Sequence, residues 1–191
     1  MTSFSIIADM NKRQYIDPLF FNDPGDLNYH YLTGNHVRAI AFLVCDNGNR
    51  DTPTNKPWSL EGSWCGDRIF AVSSEMYPNI RGYRTATHER PDRNLYDMIE
   101  DEFENISQPM LILLSGLDRE FAARLLAGVS PDNLHFLWIL GGALSRYPSP
   151  SLEDAVAKCF GSDWRFKYQE QSIIEEQELE EDREGRLRPK E

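Results

Sequence analysis

Alternating apolar and polar residues at the start of the chain predict a β-hairpin. Residues 4–8 are an apolar run, residues 9–12 have the composition of a turn, and residues 13–17 alternate until Pro18 ends the pattern. Residues 68–73 form a further apolar run that is typical of a strand. The first half of the chain therefore predicts a small antiparallel sheet.

Helical periodicity dominates the second half. Asp118 is placed to cap one helix, and Pro131 suits the first position of the next. The second of these helices is apolar on all sides, so we expect it to be buried with Trp138 and His135 in the core. Three helices are predicted, over residues 118–126, 130–144 and 151–160.

The end of the chain changes in character. Trp164, Phe166 and Tyr168 alternate with polar residues as in a strand. Residues 169–191 carry nine acidic and four basic side chains, a net charge of −5, which is typical of a disordered segment or a lone solvated helix. We predict an α+β fold in which residues 1–168 form one domain, a small sheet packed with a helical C-terminal half, and residues 169–191 form an acidic tail.

Charge and cysteine content narrow the class of protein. The net charge of −11 repels phosphate backbones, so nucleic acid is not expected as a partner. Cys45, Cys65 and Cys159 are odd in number and widely spaced, which favours reduced thiols and a reducing compartment. The sequence shows no secretory signal and no apolar run long enough to span a bilayer. These features predict a cytoplasmic protein that does not bind membranes.

Residues 62–69 form the densest cluster of special residues. They contain Gly62, Trp64, Cys65, Asp67 and Arg68, and they lead directly into the predicted strand. Binding and catalytic residues are often carried by loops that a rigid element positions. We therefore expect any functional site to include this loop.

Three segments resemble motifs of a known family when taken together. They are residues 12–18, residues 62–69 and residues 103–107. In this order they are similar to the K-R-x-Y-x-x-P start, G-x-W-A-G-D-R centre and Y-x-N-I-S segment of a family of fungal and bacterial proteins that has no assigned activity. The resemblance covers residues 4–110. Cys65 stands where alanine is usual, and residues 73–75 replace G-D-Y, which removes one of the two carboxylates of the family pattern and leaves Asp67 without it.

Asp67, Arg68 and Trp64 are the candidate binding residues, and each has a structural alternative. Asp67 with Arg68 could form a catalytic carboxylate and its orienting guanidinium. A short aspartate beside a glycine more often bonds nearby backbone amides, with the arginine balancing its charge. Trp64 could line a binding site, but it is more often a core anchor with a hydrogen-bonded N–H.

Cys65 is a candidate nucleophile that would need a histidine as base. His36 and His88 are the possible bases, although nothing in the sequence places either one beside it. His30 and His36 are six residues apart, which is not a usual zinc spacing, so no metal is expected. No dinucleotide, P-loop or serine-hydrolase motif occurs, and no cofactor is expected.

Two functions from different classes fit these observations. The first is a non-catalytic intracellular module for protein interaction or regulation, with another protein as partner. It is favoured by the missing catalytic motifs and the charged tail. The alternative is a small hydrolase or transferase with its site in the Trp64 to Arg68 loop.

Overall fold

The computed structural model describes residues 5–22, 34–45, 60–74 and 94–187. They belong to two compact units, Met1–Leu114 and Ser115–Glu191. The strands are β1 (Ser5–Asp9), β2 (Gln14–Ile16), β3 (Ile69–Ser73) and β4 (Glu104–Asn105). The helices are α1 (His36–Val44), α2 (Leu95–Glu102), α3 (Ser107–Leu117), α4 (Arg119–Leu125), α5 (Leu134–Arg146), α6 (Pro150–Phe160) and α7 (Trp164–Leu187).

The four strands form one mixed sheet in the order β3-β1-β2-β4. Strand β1 is antiparallel to both β2 and β3, which confirms the predicted hairpin and the predicted third strand. Strand β4 lies parallel to β2, so the sheet is not purely antiparallel. Together with the mostly helical second half, the sheet confirms the α+β class.

The turn between β1 and β2 is shaped by Asp9. Its Oδ1 accepts hydrogen bonds from the backbone amides of Asn11, at 2.7 Å, and Lys12, at 3.0 Å. Such a bond from a short aspartate to its own following backbone is a common way to close a turn. Arg13 then has a φ of 56°, and the chain enters β2 at Gln14.

The two faces of β1 have different surroundings. Alternate residues of a strand point to opposite sides of the sheet. One side carries Ile6, Ala8 and Met10, which belong to a core cluster with residues of α2, including Leu95 and Ile99. Asp9 is therefore on the other side of the sheet, away from this cluster.

Residues 37–45 are an apolar run whose periodicity alone does not distinguish a helix from a strand. Helix α1 covers nearly all of them and buries His36, Ala39 and Leu43. These residues recur at intervals of three and four, which places them on one helical face.

The helices of the second unit agree with the sequence in part. The side chain of Asp118 accepts a hydrogen bond from the Glu120 amide at 2.9 Å, which confirms the predicted cap of α4. Helix α5 begins later than predicted because Asn133, rather than Ser130, is its cap; its side chain accepts from the Phe136 amide at 3.1 Å. Helix α6 ends at Phe160, as predicted, and is followed by Gly161, which has a φ of 97°.

The strand predicted from Trp164, Phe166 and Tyr168 is wrong, because these residues lie in α7. Trp164 and Tyr168 are four residues apart, so they share one helical face, and Phe166 points elsewhere. A five-residue alternation fits both arrangements, and the helix is selected by packing on α5.

His135 is not a core histidine, contrary to the prediction. Its side chain is 61 % exposed, and its Nδ1 lies 2.9 Å from Oε1 of Glu175 in α7. Trp138 is also only partly buried. Partial burial opposes ionisation of Glu175, but the bonds from His135 and Gln171 outweigh it, and the pKa of Glu175 is lowered.

Helices α5 and α7 approach closely at Gly141, so Gly141→Ala should destabilise the protein by about 1–3 kcal/mol, the usual cost of overpacking. An added Cβ would lie 2.6 Å from Cγ and 2.8 Å from Cε2 of Tyr168. Urea denaturation measures the change. In the double variant Gly141→Ala/Tyr168→Ala the clash is absent, so adding Gly141→Ala to Tyr168→Ala should cost much less than it does alone. Equal costs in the two backgrounds would contradict this packing.

The predicted single domain over residues 1–168 and the tail after it stay predictions. The two compact units divide between Leu114 and Ser115, and residue 168 lies inside α7. None of the described helices is long and apolar enough to cross a membrane.

Candidate functional site

The 62–68 loop is held between α1 and the end of β1 by backbone hydrogen bonds. The amides of Gly62 and Trp64 donate to the carbonyls of Phe42 and Leu43 at 2.9 and 2.8 Å. At the other end of the loop, the Met10 amide donates to the carbonyl of Arg68 at 3.1 Å. The last turn of α1 and the sheet thus fix both ends of the loop.

Trp64 is a core residue with a satisfied N–H. It has no exposed surface. Its Nε1 donates to Oε1 of Gln14 in β2 at 3.1 Å. Buried tryptophans usually find a partner for this nitrogen. Trp64 accordingly joins the loop to the sheet.

Asp67 and Asp9 are brought together on the side of the sheet that Trp64 covers. Asp9 pairs with Ile69 across the ladder. Asp67 comes two residues before Ile69, so it is a diagonal neighbour of Asp9 on the same face. Lys12 Nζ lies 3.3 Å from Oδ2 of Asp67, an ion-pair distance without hydrogen-bond geometry. Two carboxyl groups and one ammonium thus meet at the end of the hairpin.

Burial is the largest influence on the pKa of Asp9, because this residue has no exposed surface. Burial raises the pKa of Asp9, the backbone bonds from Lys12 and Asn11 lower it, and the neighbouring Asp67 raises it again; the net direction is upward. A raised pKa favours the neutral acid.

The roles predicted for Asp67 and Arg68 differ from their observed contacts. At this site the carboxylate that accepts from turn amides is Asp9, and Oδ2 of Asp67 has no hydrogen-bond partner. The partner of Asp67 is Lys12. Arg68 is exposed, and its Nε donates to Oδ1 of Asn11 at 3.3 Å.

The predicted pairing of Cys65 with a histidine base stays a prediction. Cys65 is half-buried in the loop, and His36 is buried at the start of α1. His88 lies outside the described residues. None of Cys45, Cys65 and Cys159 forms a disulfide. Within the described ranges, no group of three or more His, Cys, Asp or Glu side chains could hold a metal ion.

Asp9, Lys12 and Gln14 are parts of this site that no motif in the sequence marks as site residues. All three lie in or beside the hairpin turn, and the resemblance over residues 12–18 gives Lys12 and Gln14 no role. One signal was present: a carboxylate at the end of an otherwise apolar strand. Its importance depends on the pairing of β1 with β3, which no local pattern specifies.

A second surface lies on the side of α7 that faces away from α5. Trp164 is buried, and Tyr168 and Glu175 are partly buried on the α5 side. Phe166 and Ile173 are seven residues apart, so they share the opposite face, where they are 62 % and 59 % exposed. Ile174 is 47 % exposed beside them. We call Phe166, Ile173 and Ile174 the outer face of α7.

Ile173 and Ile174 of this outer face lie in an acidic stretch, whereas the basic residues Arg165 and Lys167 flank Phe166. Between Glu170 and Asp182 the sequence has seven acidic residues and no basic residue.

Comparison of the chain with protein-family models, with curated proteins and with solved structures gave no match.

Proposed function

We propose that this chain is a non-catalytic intracellular module for protein interaction or regulation, and that its outer face of α7 binds the partner. The observation that carries the proposal is the exposure of Phe166, Ile173 and Ile174 on one helix. Large apolar side chains grouped on a helix surface and bordered by polar residues are typical of interaction sites.

The helix is well positioned for such a role. Its inner side is fixed to α5 by Tyr168 at Gly141 and by Glu175 at His135. A docked helix loses less conformational entropy on binding than a free segment does, because it is already ordered. The outer face is therefore a preformed surface.

The charge of the helix defines the partner. Helix α7 carries eight acidic and four basic residues, and this net charge of −4 disfavours a second copy of the same helix and an anionic lipid surface. A basic amphipathic helix would place apolar residues on the outer face and lysines or arginines beside the glutamates. This helix-against-helix mode relies on apolar residues spaced three and four apart in the partner.

A synthetic helical peptide with leucines on one face and lysines on the other tests the proposal. Fluorescence anisotropy should show tighter binding to the protein than a scrambled peptide of the same composition shows. The variant Phe166→Ser/Ile173→Ser should bind the amphipathic peptide at least about tenfold more weakly, since about 1.4 kcal/mol of lost apolar contact has this effect.

The matched control is Leu117→Ser, which removes a side chain that is 64 % exposed on α3 and leaves the charge unchanged. Its affinity for the peptide should equal that of the wild type. If Phe166→Ser/Ile173→Ser binds the amphipathic peptide as tightly as Leu117→Ser does, the outer face is not the binding surface. The same conclusion follows if the scrambled peptide binds as tightly as the amphipathic one.

The second candidate function is a small hydrolase or transferase at the Trp64 to Arg68 loop, and the pair Asp9 and Asp67 favours it. One protonated and one ionised carboxyl group are what acid–base hydrolysis requires. Asp9 has no exposed surface, so a substrate would reach it only after the loop had moved. Hydrolysis of model esters and phosphates that is lost in Asp67→Asn would support this candidate over the first.

A further inference from the structure

One carboxyl oxygen of Asp9 and one of Asp67 are buried without a hydrogen-bond donor. Oδ1 of Asp9 accepts from two backbone amides, but its Oδ2 is buried and has no hydrogen-bond partner. Oδ2 of Asp67 is also buried and has no hydrogen-bond partner; Lys12 lies beside it only at ion-pair distance. Ionised carboxylates only accept hydrogen bonds. Two such groups side by side repel each other most strongly through their buried oxygen atoms, unless a positive charge or a proton lies between them.

We infer that Asp9 and Asp67 share one proton, and that this proton joins the hairpin turn to the 62–68 loop as a pH-sensitive latch. The proton supplies the missing donor, so that one carboxyl group donates and the other accepts. Because Asp9 belongs to β1 and Asp67 to the loop, the shared proton connects two separate segments of the first unit.

The charged groups around the pair do not replace the proton. Lys12 faces Asp67, and its side chain is 42 % exposed. Arg68 is engaged with Asn11 of the turn. Gln14 is the cross-strand neighbour of Asp9, and its amide oxygen is bonded to Trp64. With both carboxylates ionised, Lys12 alone would have to balance two negative charges.

The sign of the pH dependence follows from the raised pKa of Asp9. In the unfolded chain this carboxyl group ionises near its ordinary value of 3.8. The folded protein binds the proton more tightly, so the contribution of the latch to stability is present at low pH and is lost as pH rises through the folded pKa. Above that pH, the second negative charge pushes the loop away from the turn.

The variant Asp9→Asn tests the latch directly. Asparagine keeps an oxygen for the amides of Asn11 and Lys12, and its NH₂ group can donate to Asp67 where the proton lay. At pH 8 we expect this variant to melt at or above the temperature of the wild type. When the pH is lowered from 8 to 5, the melting temperature of the wild type should rise relative to that of the variant by an amount on the order of 2–4 °C.

A second titrating group makes the comparison with a variant necessary. Burial raises the pKa of Asp17 to about 6, so Asp17 also makes the protein less stable as pH rises. Asp17 is present in both proteins, and its effect cancels in the difference between them. The carboxyl carbon NMR signal of Asp9 gives an independent reading and should titrate above 3.8.

Three results would overturn the inference. The first is a melting difference between wild type and Asp9→Asn that does not change with pH. The second is an Asp9 signal that titrates at or below its ordinary value. The third is stabilisation of the wild type, but not of Asp9→Asn, by millimolar Ca²⁺ or Mg²⁺ at pH 8, because a cation would then take the place assigned to the proton.

Discussion

Trp64→Ala is expected to lower the free energy of unfolding by about 3–5 kcal/mol, the range found for large aromatic residues deleted from cores. Trp64 is fully buried and belongs to the loop that links α1 to the sheet. Its removal leaves a cavity beside β2 and deprives Gln14 of its hydrogen-bond donor. Chemical denaturation followed by far-UV circular dichroism measures the loss.

Trp64→Phe separates packing from hydrogen bonding. Phenylalanine keeps much of the apolar volume but lacks the Nε1 donor, so it leaves the amide oxygen of Gln14 unpaired at a cost of about 1–3 kcal/mol. The expected order of stability is wild type, then Trp64→Phe, then Trp64→Ala. If Trp64→Ala is nearly as stable as the wild type, Trp64 is not a core anchor, and a role in binding becomes the better interpretation.

Gly62→Ala is expected to cost about 2–5 kcal/mol, because two penalties act together. Gly62 has a φ of +64°, a conformation that costs other L-residues roughly 1–2 kcal/mol. An added Cβ would also lie 2.6 Å from the backbone carbonyl oxygen of Cys45. Relief of this clash requires movement of the main chain, which adds about 1–3 kcal/mol.

Gly66→Ala is the matched control within the same loop. Gly66 has a φ of +81°, but a Cβ there would meet no described atom within 4 Å. It should therefore show only the conformational penalty, roughly 1–2 kcal/mol. If both variants lose the same free energy of unfolding, the expected clash between a Cβ at position 62 and the Cys45 carbonyl oxygen has no cost.

Local signals in the sequence specify several elements of the fold. The turn at Asp9, the cap at Asp118 and the stop at Gly161 each act through their own neighbours, so they are visible without a structure. Helix α2 was missed because its acidic residues obscured Leu95, Met98 and Ile99, which recur at helical spacing and are buried. The strand predicted from Trp164, Phe166 and Tyr168 is wrong because this segment is a helix that packs on α5, so its alternation does not decide its structure.

The candidate site was predictable only as far as its loop. The glycines, Trp64 and Asp67 of that loop are conspicuous in the sequence. Their partners are not, since Gln14 precedes Trp64 by 50 residues and is fixed opposite it only by the pairing of strands. Because of the same pairing, Asp9 rather than Asp67 accepts from the turn amides, and Lys12 forms an ion pair with Asp67. Contacts of this kind depend on register, which a one-residue slip would change.

The parallel pairing of β2 with β4 has a consequence for synthesis of the chain. The β1–β2 hairpin is local, whereas the partner of Tyr15 on the other side of β2 is Asn105, 90 residues later. Closing so long a loop is slow, and until it closes one edge of β2 offers unpaired amides and carbonyls to other nascent chains. On the ribosome β4 is the last of the four strands to be synthesised, and its pairing covers the edge of β2 that is open until then.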